Sequence, residues 1–187
     1  LCVIIHELFL WGDVFKRYLV AILLFLLLPI PAWSLDSTME LGARGGVDTL
    51  DENEKFLAGE IYYLHALPWQ KELSPSVNLY TRIDAGLAYL RADSHSGGWL
   101  AIGGDVVLSL REGTWEFEYG FRPTWVFESD LGGDDFGGPI QFSNHVGTTL
   151  NLGQIALSYR FQHVSNASLY DLIPGFDLHM VCLGIRF

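Results

Sequence analysis

Apolar and polar side chains alternate along most of the chain beyond residue 35. Segment 115–127 shows this most clearly, because its even-numbered positions are mostly charged or small. Its odd-numbered positions are Trp115, Phe117, Tyr119, Phe121, Pro123, Trp125 and Phe127. A period of two indicates β-strands with one apolar face. We count eight such segments, which begin near residues 38, 56, 79, 99, 115, 140, 154 and 177.

The length of the strands and of their connections predicts the fold class. Strands of about ten residues are long enough to cross the hydrocarbon layer of a membrane when tilted. Tight turns are expected at 111–114 and 151–154, whereas the connection 68–78 is long for the same side. Longer polar loops are expected at 48–55, 91–98, 128–139 and 166–175. We therefore predict an all-β protein, an eight-stranded antiparallel transmembrane β-barrel of the outer-membrane type.

Alternation alone does not say which face is outside, since a soluble lipocalin-like barrel has the same period with its apolar face inward. Aromatic residues near the strand ends favour a membrane barrel with interfacial girdles. The polar face carries charges of both signs, as a narrow filled lumen requires: Arg82, Asp84, Asp105, Glu116, Glu118, Arg122 and Arg160. The final segment 181–187 ends on Phe187, which resembles the terminal strand that the barrel assembly machinery of outer membranes reads.

The amino-terminal region has the features of a secretory signal. Lys16 and Arg17 precede an apolar run at 18–30, which is too short to span a bilayer as a helix. Small residues at Ala32 and Ser34 then suit cleavage by a signal peptidase. We expect residues 1–34 to be a signal peptide with an upstream extension, and residues 35–187 to be the barrel domain. A retained membrane anchor is the less favoured alternative.

Charge and cysteine content narrow the function. The formal net charge is −11, and the basic and acidic residues of segment 1–34 cancel, so the barrel domain keeps this charge. Such an acidic protein is not expected to bind nucleic acid. Cys182 has no partner for a disulfide once Cys2 is removed. The sequence has no spacing of His and Cys residues that is typical of a zinc site. The acids at 130, 134 and 135 could bind calcium, but a solvated loop explains them better. We therefore expect no cofactor.

Candidate chemistry lies on the seventh and eighth segments. The apolar row of the seventh segment continues to His163 and Ser165, and that of the eighth extends backward through His179 to Asp177. A hairpin centred on residue 170 would place His163 opposite Asp177. A hydroxyl, an imidazole and a carboxylate form an activated nucleophile. Such groups are costly to aim at lipid without a purpose.

The run His163-Val-Ser165-Asn166-Ala167, followed by the acid at Asp177, resembles the signature of the PagL-type lipid A 3-O-deacylases. These are eight-stranded outer-membrane esterases. The resemblance implies Ser165 as nucleophile, His163 as general base and Asp177 as orienting carboxylate. It also implies lipid A, within lipopolysaccharide, as the substrate, with hydrolysis of the 3-hydroxyacyl ester at position 3 in the outer leaflet. Two positions depart from the family pattern, because Ser168 replaces a glycine and Asp177 replaces a glutamate.

Neighbouring residues complete the expected site. The side-chain amide of Asn166, or the backbone N–H groups of Asn166, Ala167 and Ser168, would stabilise the oxyanion. An acyl-chain groove is expected at Tyr159, Phe161, Leu169, Tyr170 and Val181. His179 is expected in the interfacial girdle. Two alternatives stay open, a non-catalytic structural or adhesive outer-membrane barrel and acyl transfer to another acceptor. The sequence also leaves open whether the protein, surrounded by outer-membrane lipids, works as a homodimer.

Overall fold

A computed structural model describes residues 39–48, 56–92, 95–131, 134–170 and 175–187, and its elements are ten β-strands. These are β1 (Met39–Val47), β2 (Phe56–Ser74), β3 (Val77–Ala92), β4 (His95–Leu110), β5 (Trp115–Val126), β6 (Asp130–Leu131), β7 (Asp134–Asp135), β8 (Ile140–Leu152), β9 (Ile155–Ser165) and β10 (Gly175–Arg186). The expected signal peptide lies outside the described residues. Within the ranges described, no helix is long and apolar enough to cross a membrane.

Eight of the strands close into one antiparallel barrel, in the order β1-β10-β9-β8-β5-β4-β3-β2. Strands β6 and β7 form a small separate hairpin within the β5–β8 connection. Backbone hydrogen bonds between Met39 and Phe187 extend the closing pair, with N···O distances of 3.3 and 3.0 Å. Turns at 75–76, 111–114 and 153–154 define one end of the barrel, the turn end. The β1–β2, β3–β4, β5–β8 and β9–β10 connections define the other, the loop end. The predicted eight-stranded barrel is confirmed.

The polarity of the barrel is inverted relative to a soluble protein. Along β5, exposed and buried residues alternate without a break, and the exposed ones are mostly the aromatic residues of the predicted apolar face. Tyr119 and Trp125 are 57% and 53% exposed, while the charged Arg122 between them is fully buried. An apolar exterior around a charged interior suits a lipid surrounding and excludes the lipocalin-like arrangement.

Buried ion pairs fill the middle of the lumen. Asp84 accepts hydrogen bonds from the guanidinium groups of Arg44, Arg122 and Arg160, with the shortest bond from each at 2.9, 3.2 and 2.7 Å. A second group joins Arg82 to Asp105, at 2.8 Å, and to Glu118. Buried charges persist only when they are paired and hydrogen-bonded. The predicted lumenal charge pairing is therefore confirmed, and the lumen is a packed core.

An apolar plug, which the sequence analysis did not predict, closes the lumen at the loop end. It is built around Phe56, Trp99, Phe136 and Phe176, with Phe56 and Phe176 stacked at a centroid distance of 4.7 Å. Phe136 comes from the β5–β8 connection, so this loop folds inward over the mouth of the barrel. Aromatic burial of this kind is a large source of stability. The plug therefore fixes the loop end, where the candidate site lies.

Two predicted connections are wrong. Residues 68–78 belong mostly to β2 and β3, which meet in a turn at 75–76. The register of β2 shifts between Ala66 and Gln70, and this irregularity around Pro68 interrupts the alternation that would have revealed a strand. Residues 91–98 are also largely strand, because Arg91 pairs with Ser96 in the β3–β4 ladder. Glycines and a serine there weaken the apolar period without preventing pairing.

Candidate active site

The candidate site is set by the register of the last two barrel strands. His163 on β9 lies directly opposite Asp177 on β10, and Phe161 lies opposite His179. Ser165, the last residue of β9, lies opposite Gly175. This is the predicted register. All three candidate catalytic side chains occupy outward-facing positions, because the intervening Val164 and Phe176 are buried in the apolar plug.

His163 and Asp177 form a direct hydrogen bond across the two strands. The distance from Nδ1 to Oδ1 is 2.7 Å, short enough for a strong charge-assisted bond. Their side chains are 45% and 26% exposed, at the wall of the barrel. A carboxylate accepting from Nδ1 keeps the proton on that nitrogen and leaves Nε2 as an acceptor. The pair therefore has the form of a general base with its orienting acid.

A strained turn follows Ser165 immediately. Ala167 and Ser168 have φ angles of 50° and 63°, in the left-handed region that non-glycine residues rarely adopt. The side chain of Asn166 stabilises the turn, since its Oδ1 accepts the backbone N–H of Ser168 at 2.8 Å. The N–H of Leu169 donates to the carbonyl of Asn166 at 3.0 Å. A serine thus occupies a conformation that glycine would adopt more easily.

Asn166 is placed differently from the sequence expectation. Its side chain is fully buried on the lumen side, where Nδ2 contacts the carbonyl oxygen of Phe136 at 3.4 Å. The parity of the strand explains this placement, because Asn166 follows the outward-facing Ser165 and turns inward. The amide therefore braces the turn from inside, and it does not lie on the outer surface beside the serine hydroxyl.

The expected groove residues separate into two groups. Tyr159 and Val181 lie directly opposite each other and are exposed, Leu169 is exposed, and Phe161 is half-buried. The hydroxyl of Tyr159 is 2.6 Å from Nδ1 of His179, so His179 is a hydrogen-bonded neighbour of this surface. Tyr170, by contrast, packs against glycines of the β5–β8 connection.

The sequence analysis missed one polar residue in the site. Asn144 on β8 lies opposite His163 on the side away from Asp177. It is half-buried and outward-facing, between the apolar Phe142 and Val146. An amide interrupting an apolar outward row was a usable signal, but only pairing of β8 with β9 reveals that it adjoins the imidazole.

Among the described residues, one trio of side chains has metal-ligand spacing. Potential ligand atoms of Asp84, Asp105 and His145 lie within 4.8 Å of one another in the lumen. Asp84 already accepts from three guanidinium groups, and Arg82 binds Asp105. A divalent cation would face these positive charges, so the trio is better explained as part of the lumenal ion network.

One of the loop acids that the sequence analysis weighed as a calcium ligand has a local partner. Asp135, in the β5–β8 connection, accepts a hydrogen bond from the backbone N–H of Gly137 at 2.8 Å.

A scan of family models gives one decisive match to the sequence. Residues 57–186 match the model described as lipid A 3-O-deacylase (PagL), which covers the barrel from β2 to the end of β10. The chain belongs to the PagL family. A solved structure titled "Crystal structure of the outer membrane enzyme PagL" is similar in fold, with a TM-score of 0.69 and 16% sequence identity. The similarity covers 79% of this chain and 99% of that one. A comparison with curated proteins gives no match.

Family membership and fold confirm two of the sequence predictions. The protein is an outer-membrane β-barrel, and its family is one of lipid A deacylases, hydrolases that modify lipopolysaccharide. In barrels of this class the longer connections face outward and the short turns face the periplasm. The loop end, with His163 and Asp177, is accordingly the outer end.

Proposed function

We propose that this PagL-family protein hydrolyses the ester at position 3 of lipid A with Ser165 as nucleophile, His163 as general base and Asp177 as orienting acid. One observation carries the proposal, the 2.7 Å hydrogen bond between His163 and Asp177 on the outward-facing wall. Ser165 continues the same row, one side-chain position nearer the outer end. Because the loop end is the outer end of the barrel, a lipid of the outer leaflet can reach this wall without leaving the membrane.

The proposed reaction uses the two nitrogens of His163 in different roles. Asp177 holds the proton on Nδ1, and Nε2 accepts the proton of the Ser165 hydroxyl as Oγ attacks the ester carbonyl. The imidazolium then donates that proton to the departing sugar oxygen. The acyl-serine is hydrolysed by water, which the same nitrogen deprotonates. The products are the free fatty acid and the lipid A hydroxyl.

The oxyanion requires donors near Ser165, and we assign this role to the backbone of the turn. The N–H of Ser168 is engaged by the Asn166 side chain, and that of Leu169 by the Asn166 carbonyl. Ala167 is exposed at the outer surface, and its N–H is the donor we propose. Loss of one such donor typically costs about 3 kcal/mol of transition-state stabilisation. In this scheme Asn166 contributes by fixing the turn.

The acyl chain needs an apolar surface that continues from the reactive serine. We propose that Tyr159, Phe161 and Val181 provide it, with Leu169 at the outer edge. Tyr159 and Phe161 lie on β9, Val181 lies on β10, and Leu169 lies in the turn that follows β9. All four would contact the same lipid layer as the substrate. The Tyr159 to His179 hydrogen bond satisfies two polar groups that would otherwise face hydrocarbon.

Mass spectrometry of lipid A from expressing cells tests the function. Wild-type protein should remove one acyl chain from position 3, and Ser165→Ala should leave lipid A intact while the barrel still forms. Folding is checked by the faster migration of unheated barrel in electrophoresis. If wild type leaves lipid A unchanged, the non-catalytic barrel is the better account. A gain of mass on another acceptor would instead indicate acyl transfer.

A further inference from the structure

The second half of the β5–β8 connection, residues 134–139, contacts Tyr170, which directly follows the turn after Ser165. The ring of Tyr170 lies against Gly137 and Gly138 so closely that a Cβ added at Gly138 would lie 2.4 Å from Cζ of Tyr170. The same addition at Gly137 would meet Cβ of Tyr170 at 2.6 Å. The N–H of Ile140 also donates to the Tyr170 hydroxyl at 3.3 Å. The contact thus joins two connections at the loop end.

The β5–β8 connection is itself anchored to the barrel. Phe136 is buried in the apolar plug, and its N–H donates to the carbonyl of Ser129 at 2.8 Å. The side-chain amide of Gln141 donates to the carbonyls of Phe136 and Gly138, at 3.1 and 2.8 Å. The glycine surface beneath Tyr170 is therefore a fixed support.

The turn needs such a support because the backbone conformation of Ala167 and Ser168 is energetically unfavourable for residues with a side chain. Consecutive non-glycine residues at positive φ persist only where the surroundings over-determine them. Asn166 braces the turn from the lumen, through its bonds to Ser168 and Phe136. Tyr170, the residue directly after the turn, is held against Gly137 and Gly138. Both contacts end on the same anchored connection.

We propose that Tyr170, seated on Gly137 and Gly138, is a positioning element that holds the turn 166–169 in its strained, reactive geometry. This inference rests on the proposed function, because the turn contains Ala167, whose backbone N–H is the oxyanion donor that we propose for the reaction at Ser165. Tyr170 is a positioning residue, not a catalytic one. It departs from the groove role expected from the sequence, and the two roles differ in kinetics. Loss of a positioning element lowers kcat, whereas loss of a groove wall raises KM.

The first test variant is Gly138→Ala, assayed on purified lipopolysaccharide in detergent micelles. Gly138 has no positive φ, and the three atoms nearest to an added Cβ all belong to the Tyr170 side chain. We expect kcat to fall by about 10- to 100-fold with KM nearly unchanged, the range set by an ångström-scale displacement of a reacting group. Gly59→Ala is the matched control, because a Cβ at Gly59 meets nothing within 4 Å.

Two further variants isolate the ring contact. Tyr170→Ala should lower kcat, and Tyr170→Phe, which loses only the bond to Ile140, should lower it less. In the double variant Gly138→Ala, Tyr170→Ala the clash is removed, so its kcat should match that of Tyr170→Ala alone. Multiplicative losses would overturn the proposal, since they would show that the two residues act independently.

The outcomes separate this proposal from the proposed function. If Ser165→Ala is as active as wild type, the assignment of Ser165 as nucleophile fails. The proposed function then fails with it, and Tyr170 has no reacting group to position. If Ser165→Ala is inactive but folded Gly138→Ala and Tyr170→Ala keep the wild-type kcat, the positioning role alone is overturned. Should Gly138→Ala fail to fold, the two Tyr170 variants decide. A raised KM with unchanged kcat in Tyr170→Ala would return Tyr170 to the groove.

Discussion

Replacing Asp177 with asparagine is the most informative perturbation of the proposed site. The two side chains have the same shape, so the change removes the carboxylate charge that faces Nδ1 of His163 at 2.7 Å. When the imidazole takes the serine proton, it becomes a cation beside this carboxylate. The asparagine variant must form that cation without a counter-charge, and its amide can also favour the wrong tautomer.

The expected loss follows from the position of the pair at the barrel wall. Unit charges about 4 Å apart interact by about 1 kcal/mol in water and about 4 kcal/mol at an effective dielectric constant near 20. These values correspond to rate losses of roughly fivefold and roughly 1000-fold. The His163 side chain is 45% exposed, and an outward-facing position on a membrane barrel faces lipid, where the effective dielectric constant is lower than in water. We therefore expect the loss in kcat/KM to lie near the upper value, at about 100- to 1000-fold.

The assay compares initial rates of acyl release from purified lipopolysaccharide by folded wild type, Asp177→Asn and Asp177→Glu. The glutamate variant keeps the charge and has space at the outer surface, so its activity should stay within about tenfold of wild type. All three barrels should be about equally stable, because partly exposed ion pairs contribute little to folding. Full activity in the asparagine variant would refute the assigned role of Asp177. Equal inactivity of both variants would show that position, and not charge, limits the reaction.

Three further predictions concern other parts of the barrel. Arg122→Met should destabilise the barrel by about 3–5 kcal/mol in urea unfolding, because it leaves Glu60 and Asp84 short of a buried partner; a change below about 1 kcal/mol would contradict this. Asn144→Leu should lower kcat/KM by up to about tenfold, because it replaces the amide opposite His163 with an apolar group that cannot hydrogen-bond the imidazole during the reaction, and unchanged kinetics would exclude a role for the amide. Ala167→Gly should keep or increase barrel stability, because glycine adopts the positive φ without strain, and a clear loss of stability would contradict the strain argument.

The barrel and its register were predictable because the constraints on them are local and repeat along the chain. A strand with one apolar face fixes which side every residue occupies, and a slip by one position would move His163 to the lumen. Registers in which the two residue numbers sum to an even value keep both apolar rows on one face, and a hairpin centred on residue 170 selects the one that pairs His163 with Asp177. The pairing of His163 with Asp177 therefore followed from alternation and hairpin symmetry alone.

The features that the sequence did not predict depend on contacts between distant segments. The inward turn of Asn166 depends on Phe136, thirty residues away, and the seat of Tyr170 depends on two glycines in the same connection. From composition alone, those glycines indicate only a solvated loop. The full length of β2 was also not predicted. Pro68 and the register shift after Ala66 interrupt the alternation of apolar and polar residues, although the backbone is paired on both sides of the shift. Period-two reasoning therefore works along regular strands and fails where a register shift interrupts a strand, as in β2, and in the connections at the loop end.

The position of the site on the outer wall follows from what fills the lumen. In the part of the chain that the structure describes, arginine and acid side chains occupy the middle of the barrel and aromatic residues close its loop end, so these two regions of the lumen are filled and do not accommodate an acyl chain. Chemistry on a lipid must then use outward-facing positions, where a polar group is tolerated only near the interface or with a partner. A cross-strand pair meets both conditions, because neighbouring strands place opposite Cβ atoms about 5 Å apart. The ladder thereby provides the His163 to Asp177 geometry directly, whereas the turn after Ser165, which we propose to be reactive, requires a separate brace.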